Sequence, residues 1–365
     1  MNTFRTFYPL IATLLFVNVA FSQVKYSNEF LNIGIGARAQ GMSNAVSTSI
    51  DDITAGYWNP AGLAAVQVPF QLSVMHAEWF AGIAQYDYVA FGKKLNTDRP
   101  SAFALSFIRM GIDDIPYTLT LVNKDGSINY DNLSEFSAAD YAVLVSYGQQ
   151  LKNPRWSVGG TTKIIHRIIG TFGSAWGFGI DGGLIYQHKG TRFAVVAHDF
   201  TSTFNAWSFK LSSEEKAVFE DTENEIPENS VEYTTPRVTM GGSKLFTFSP
   251  KVQLLAALDV DITTDGKRNT LISTNAISAD PHLGVELNYR KKVFLRTGVR
   301  NLQQFKKDTN SSDKSWTFQP DFGVGLQFGR LKLDYAFTDI GNVSQTLYSH
   351  VFSLTFNLKS PKDDE

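Results

Sequence analysis

The 365-residue sequence contains no cysteine. A disulfide framework, a lipid anchor on a cysteine and a thiolate metal site are therefore excluded. Long apolar runs are also missing, because the longest one, Leu10 to Ala20, is about half of the ~20 residues that a membrane-spanning helix needs. Lys and Arg number 33 against 35 Asp and Glu, and this balance argues against a nucleic-acid partner.

The first 22 residues have the layout of a secretory signal. Arg5 precedes the apolar run, and Ala20-Phe21-Ser22 has the small residues of a cleavage site. We therefore predict a signal peptide at 1–22 and a mature chain that begins at Gln23.

Aromatic residues and glycine are abundant, with 28 Phe, 14 Tyr, 6 Trp and 28 Gly at a mean hydropathy of −0.13. This composition without long apolar runs favours many β-strands. In Val351–Leu358, for example, apolar and polar residues alternate with period two. Fourteen such segments are predicted, at 70–80, 83–94, 100–111, 137–151, 155–169, 173–188, 191–201, 235–248, 251–262, 281–290, 292–300, 316–328, 331–340 and 346–358.

The predicted connections alternate between tight turns, such as 189–190 and 329–330, and long loops, such as 112–136 and 202–234. Short turns on one side, long loops on the other and an even strand number are typical of outer-membrane β-barrels. An exported β-sandwich is the alternative, but its strands would be shorter. Charged residues on the polar face are predicted to face a lumen, namely Glu286, Arg290, Arg296, Arg300, Lys332 and Asp334.

Three kinds of chemical site were considered. Gly34, Gly36 and Gly41 miss the spacing of a dinucleotide fingerprint, and the sequence has no P-loop. Acidic residues at Asp259, Asp261 and Asp265 are a weak candidate for calcium, although a solvated turn is the simpler interpretation. A lipid hydrolase that pairs a strand serine with a histidine stays open as an alternative, with these candidate histidines: His76, His166 and His350. No enzyme activity, cofactor or metal is expected.

The stretch before the first strand contains "GARAQGM", then Asp51-Asp52, then "YWNPAGL". These motifs resemble the N-terminal signature of FadL-like outer-membrane barrels, and within them the PorV family that is associated with type IX secretion. The resemblance implies an all-β, 14-stranded antiparallel transmembrane barrel whose N-terminal segment folds into a short helical plug. The residues that carry the plug motif are Gly34, Gly36, Arg38, Gly41, Asp51, Asp52, Trp58, Asn59, Pro60 and Gly62.

The expected organisation is a plug at 23–68, a barrel at 69–358 and a periplasmic tail at 359–365, in the cell outer membrane. The resemblance to the PorV family implies a subunit that engages secreted cargo proteins or partners the translocon. The wider superfamily implies instead a channel for hydrophobic small molecules, with such a molecule in the lumen. Outer-membrane lipid is a partner under both hypotheses.

Overall fold

The computed structural model describes residues 27–79, 82–122, 126–306, 314–338 and 348–358. The predicted signal peptide at 1–22 and tail at 359–365 lie outside these residues. Within them the chain forms one antiparallel sheet of seventeen strands. The strands β1 to β17 are, in order, Phe70–Trp79, Ala84–Lys94, Ser101–Tyr117, Ser134–Gln150, Trp156–Ile169, Gly173–His188, Thr191–His198, Phe204–Phe209, Ser230–Tyr233, Arg237–Ser249, Val252–Thr263, Ile272–Ser273, Ser278–Tyr289, Val293–Lys306, Lys314–Phe328, Leu331–Thr338 and Ser349–Leu358.

The sheet closes into a barrel because β1 pairs with β17 as well as with β2. Both β7 and β8 pair with β6, so they form one barrel strand that is interrupted at 199–203. Likewise β9 and β10 pair with β8 and β7 and form the next strand. Since β12 only extends the pairing at one end of β13, the barrel has fourteen strands, and the predicted fold class is confirmed.

Alternation along each strand separates a lumen face from an outer face. In β2, Val89 and Phe91 are 44% and 42% exposed, whereas Tyr88 and Ala90, which alternate with them, are buried. The outer face is apolar on strand after strand, as lipid contact requires. Among the described residues, no helix is long and apolar enough to cross a membrane.

The helices are short, and most of them precede the barrel strands. Four lie in the N-terminal segment: a 3-10 helix at Glu29–Leu31, α1 at Ala37–Gln40, α2 at Ala55–Trp58 and a 3-10 helix at Pro60–Ala65. Apolar side chains of this segment are fully buried in the lumen, and they form one core with lumen-facing residues of β2 and β3: Ile35, Met42, Val46, Ile53, Leu63, Tyr86, Tyr88 and Ile108. We call residues 27–66 the plug.

The two ends of the barrel differ. At the short-turn end, the connection between β6 and β7 is only Lys189-Gly190, both with positive φ. At the long-loop end, β3 extends to Tyr117 and β4 starts at Ser134, so both ends of the predicted loop at 112–136 are strand. The predicted loop at 202–234 holds β8, a third α-helix at Ser213–Asp221 (α3) and β9. Ser212 and Glu215 form a capping box at the start of α3, which explains why this helix begins there.

Candidate functional site

Near its N-terminal end, the plug contains two glycines whose backbone conformations are rare for other residues. Gly34 has φ +95° and Gly36 has φ +83°, a region that glycine enters at no steric cost. A Cβ on Gly34 would also lie 2.7 Å from Trp58 Cη2, whereas a Cβ on Gly36 would meet nothing within 4 Å. Gly34 is therefore required for both its conformation and its close packing.

Trp58 and its neighbour Tyr57 form hydrogen bonds with the backbone of this turn. Trp58 Nε1 donates to Ile35 O at 3.0 Å, and the two aromatic rings pack edge to face with centroids 4.9 Å apart. Tyr57 Oη accepts from Gly34 N at 3.1 Å and donates to Leu31 O at 2.5 Å. Burial raises the pKa of Tyr57, which keeps this phenol a neutral donor.

The Asn59-Pro60 pair starts the second 3-10 helix of the plug. Asn59 is fully buried; its Oδ1 accepts from Ala61 N at 3.1 Å and its Nδ2 donates to Ser47 O at 2.9 Å. Pro60 occupies the first position of the helix, where no N–H donor is needed. Gly62 packs so closely that an added Cβ would lie 2.7 Å from Ile50 O.

Asn59 and Pro60 pack against three neighbouring glycines of the barrel wall. Gly148, Gly159 and Gly183 are directly paired across β4, β5 and β6. A Cβ on Gly148 or Gly159 would overlap the backbone of Pro60, and one on Gly183 would overlap Asn59 Oδ1. We call this row the first glycine seat.

A second glycine seat lies on β13, β14 and β15. A Cβ on Gly284 or Gly298 would lie 2.6 Å from the backbone of Met42, and Gly323 packs against Gly41. Polar contacts flank this seat, because Ser43 Oγ donates to Asp321 at 2.6 Å. On β11, Asp259 accepts from both the N and Oγ of Ser47 at 2.7 Å. The plug is thus held by two nearly opposite walls.

Arg38, Asp51 and Asp52 have separate roles. Arg38 pairs with Asp51 at 2.9 Å and with Glu286 of β13 at 3.1 Å. Asp52 Oδ1 accepts from Thr54 N at 2.9 Å in the turn before α2, whereas Asp51 binds Arg38. Desolvation inside the barrel opposes the charged form of Asp51 although its side chain reaches the lumen water, but Arg38 and other cations hold its pKa below its ordinary value.

On the long-loop side of the plug, the lumen wall of β1 to β3 is apolar. It presents Trp79, Tyr86, Ile108, Met110 and Ile112 to the N-terminal end of the plug. Phe30 is buried there, with Leu31 and Ile33 packed against the same cluster, and Tyr86 Oη donates to Phe30 O at 2.9 Å. We call these wall residues the apolar wall.

The opposite wall carries buried charges. Lys163 Nζ lies 2.8 Å from Asp181 and also contacts Asp199, and Arg237 pairs with Asp261 at 3.0 Å. These groups line a cavity of about 60 Å³ between plug and wall, large enough for a few water molecules. The alternation of charge with apolar residues indicated a polar lumen, but the pairing of Lys163 with Asp181 could not be deduced from the sequence.

Asp259 and Asp261 both face this cavity, but Asp265 lies beyond β11, where Arg268 binds it at 2.6 Å. Within the described ranges no group of three His, Cys, Asp or Glu side chains could hold a metal ion. The three acidic residues of the calcium candidate therefore do not come together in one site.

The candidate histidines of a hydrolase lie on the outer face of the barrel. In the described part of the chain, their ring nitrogens contact Asp87, Ala175 O and Tyr335 rather than a serine.

Of the charges predicted to face the lumen, Glu286, Arg296 and Asp334 form a buried chain with contacts of 2.7 Å. Arg290 is different, because it lies exposed in a turn at the short-turn end.

At the short-turn end, the plug forms the roof of a vestibule of about 930 Å³. Arg38, Ser49 and Asp51 of the plug line it, together with turn residues of the barrel. The lumen thus contains a small polar cavity on one side of the plug and a large polar vestibule on the other.

No protein-family model matches the sequence, and no curated protein matches it either. Solved structures do match. The Ralstonia pickettii toluene transporter TbuX is 13% identical, covers 89% of this chain and 98% of its own, and has a TM-score of 0.52. The Pseudomonas putida toluene transporter TodX is 12% identical over 89% and 98% of the two chains, with a TM-score of 0.55. A Pseudomonas aeruginosa FadL homologue is 13% identical over 88% and 98%, with a TM-score of 0.51.

At these identities the likeness is one of fold. The chain has the fold of FadL-like outer-membrane barrels. The fold implied by the broader resemblance is confirmed, whereas nothing in the comparisons points to the PorV family.

Proposed function

We propose that this protein is an outer-membrane channel for hydrophobic small molecules. This was the alternative to the secretion hypothesis, and the structural neighbours favour it, since two of them are described as toluene transporters. The observation that carries the proposal is the apolar wall. It offers a hydrophobic molecule a continuous surface inside an otherwise charged lumen, where such a molecule would be poorly solvated.

The N-terminal end of the plug occupies this route. Phe30, Leu31 and Ile33 cover the apolar wall, so a molecule that follows the wall must displace them. Polar contacts tether this end to the interrupted strands: Asn28 Nδ2 donates to Thr234 Oγ1 at 2.8 Å, and Asn205 Nδ2 donates to Asn28 Oδ1 at 3.0 Å. Movement of residues 27–33 is therefore the expected gating step.

The absence of native cysteine allows a reversible test. A disulfide between Asn28→Cys and Thr234→Cys would lock the plug end to the wall, and reduction would release it. We expect cells that express this variant to take up radiolabelled toluene at the wild-type rate when reduced, and at the rate of cells without the barrel when oxidised.

The matched control is the pair Thr97→Cys and Ser101→Cys in a short turn, whose hydroxyl oxygens lie 2.7 Å apart. Its oxidation should leave uptake unchanged. Equal uptake by the oxidised and reduced lock would exclude this route, and wild-type uptake no faster than that of cells without the barrel would refute the channel function.

The second candidate is the type IX secretion role. The start of the mature chain supports it through its resemblance to the PorV family, and β3, β4 and α3 extend the long-loop end, where cargo would bind. Tyr117 of β3 donates to Glu215 of α3 at 3.1 Å, so this surface is structured. Under this proposal, deletion of the gene impairs surface delivery of type IX cargo, and normal delivery would refute it.

The proposal also includes cleavage of the signal peptide and the location of the C-terminal tail. Cleavage before Gln23 and a periplasmic position for 359–365 stay predictions. N-terminal sequencing of the purified protein tests the first, and protease accessibility of a tag placed after residue 365 tests the second.

A further inference from the structure

The vestibule is open at the short-turn end of the barrel. Turn residues Lys189, Gly190, Lys291 and Gly329 line its mouth, and both lysines are exposed. At about 930 Å³, it is near the upper limit of the volumes that ligand pockets usually have.

Cations outnumber carboxylates in the lining. It contains five cations, Arg38, Lys189, Arg192, Lys291 and Lys332, but only two carboxylates, Asp51 and Glu286. Both carboxylates are already bound by Arg38. Across the residues that the structure describes, Lys189, Arg192 and Lys291 form no ion pair, although Arg192 donates to Thr48 O at 3.3 Å. The vestibule therefore has positive charge available for a ligand.

The cations lie far apart around the wall. From Lys189, between β6 and β7, to Lys291, between β13 and β14, the barrel order gives about four strand spacings of the fourteen. At ~4.8 Å per strand, this separation is about 19 Å along the wall. One small anion cannot contact both lysines, so the arrangement suits an elongated polyanion.

Asp51 shows how a carboxylate is bound here. It approaches from the plug, pairs with Arg38 at 2.9 Å and leaves its side chain 57% exposed to the vestibule. Lys332 and Arg192 act on the same carboxylate electrostatically. A second carboxylate that enters from the mouth would meet Lys189 and Lys291 in the same way.

We propose that the vestibule binds an extended acidic polypeptide segment of a periplasmic partner protein. A polypeptide fits better than a phospholipid, because the lining lies inside the barrel and offers few apolar side chains: Leu245, Leu255 and Phe294. The proposal does not depend on the passage of small molecules or on secretion.

The turns around the mouth strengthen the attraction. The short-turn end also carries Lys152, Lys251, Arg290, Lys292 and Arg330. Such a concentration of one sign of charge steers an oppositely charged partner and accelerates its association. Binding should therefore be fastest at low ionic strength and should weaken as salt rises.

Fluorescence anisotropy with a fluorescein-labelled octaglutamate peptide tests the proposal on the full chain in detergent. We expect saturable binding to the wild type and about fivefold weaker binding to Lys189→Gln/Lys291→Gln, because two exposed charges that would pair with the peptide are lost. The control Lys152→Gln/Lys251→Gln removes the same charge from the same rim outside the vestibule, and its affinity should stay within about twofold of wild type. Heat-modifiable migration on gels verifies that both variants are folded.

Three results would overturn the proposal. The first is no binding of octaglutamate to the folded wild type at low salt. The second is an equal loss of affinity in the two variants, which would assign the effect to the rim as a whole. The third is displacement of the peptide by phosphatidylglycerol added to the micelles, which would assign these charges to the bilayer.

Discussion

The first glycine seat makes a sharp prediction for Gly159→Ala. An added Cβ at Gly159 would lie within 2.6 Å of three backbone atoms of the plug, two in Pro60 and the third in Ala61. Backbone atoms cannot rotate away as the end of a flexible side chain can. Either the plug or β5 must therefore move.

Overpacking a well-packed interior costs typically 1–3 kcal/mol, occasionally more. Because three backbone atoms are overlapped at once, we expect the upper end, about 3 kcal/mol against the seated plug. This corresponds to about a hundredfold increase in the ratio of unseated to seated plug. Barrel closure itself should persist, since the strand pairing of β5 does not involve side chains.

The adjacent Gly160→Ala is the matched control. Gly160 points the other way, and the nearest heavy atom to its added Cβ is Asp181 O at 3.7 Å, an ordinary contact. Both changes restrict the unfolded chain equally, so their difference isolates the seat. The assay is the permeability of proteoliposomes, or of intact cells, to a small hydrophilic antibiotic, at equal amounts of heat-modifiable barrel.

Higher permeability in Gly159→Ala than in Gly160→Ala is the expected result. If the two variants were equal in both permeability and thermal stability, the plug would not depend on this seat. The argument from close packing would then be wrong.

Three further predictions concern the plug itself. Asn59→Ala leaves Ser47 O and Ala61 N buried without their partner, so we expect about 2–4 kcal/mol of lost plug stability, measured as increased permeability and earlier proteolysis within the plug. Gly34→Ala should unseat the plug more than Gly36→Ala in the same assays, because both carry positive φ but only Gly34 packs against a side chain; equal effects would mean that backbone conformation alone decides. The pKa of Asp51 lies below its ordinary value, so its contact with Arg38 stabilises the plug above about pH 4 and is lost as the pH falls further. Asp51→Asn should accordingly loosen the plug by about 0.5 kcal/mol at pH 7 and have no effect near pH 2, and a difference that persists at pH 2 would contradict the ion pair.

The strands were predictable from sequence because lipid on one side and a lumen on the other impose a period of two. Predicted and observed ends differ by a few residues for most strands, for example 235–248 against Arg237–Ser249. For aromatic residues, the sequence does not always predict whether the side chain faces the lipid or the lumen. Trp79 and Trp207, which lie near strand ends, are 6% and 7% exposed and face the lumen.

Other features depend on contacts that a single sequence does not reveal. The interruption at 199–203 places Asp199 and Ser202 in left-handed backbone conformations, and the pairing of β8 with β6 beyond it resumes the same barrel strand. The glycine seats are equally hidden, because Gly148, Gly159 and Gly183 become neighbours only through strand register. For the plug, the motif residues were identified, but not the wall residues that hold them.

The position of the two glycine seats has a mechanical consequence. They lie on β4 to β6 and on β13 to β15, six strand steps apart at their centres, and one short segment bridges them. A closed sheet of this circumference resists stretching but flattens easily into an ellipse. The plug spans the lumen between the two seats and fixes the distance between the two walls. Amide hydrogen exchange in both walls should therefore rise together whenever the plug leaves either seat.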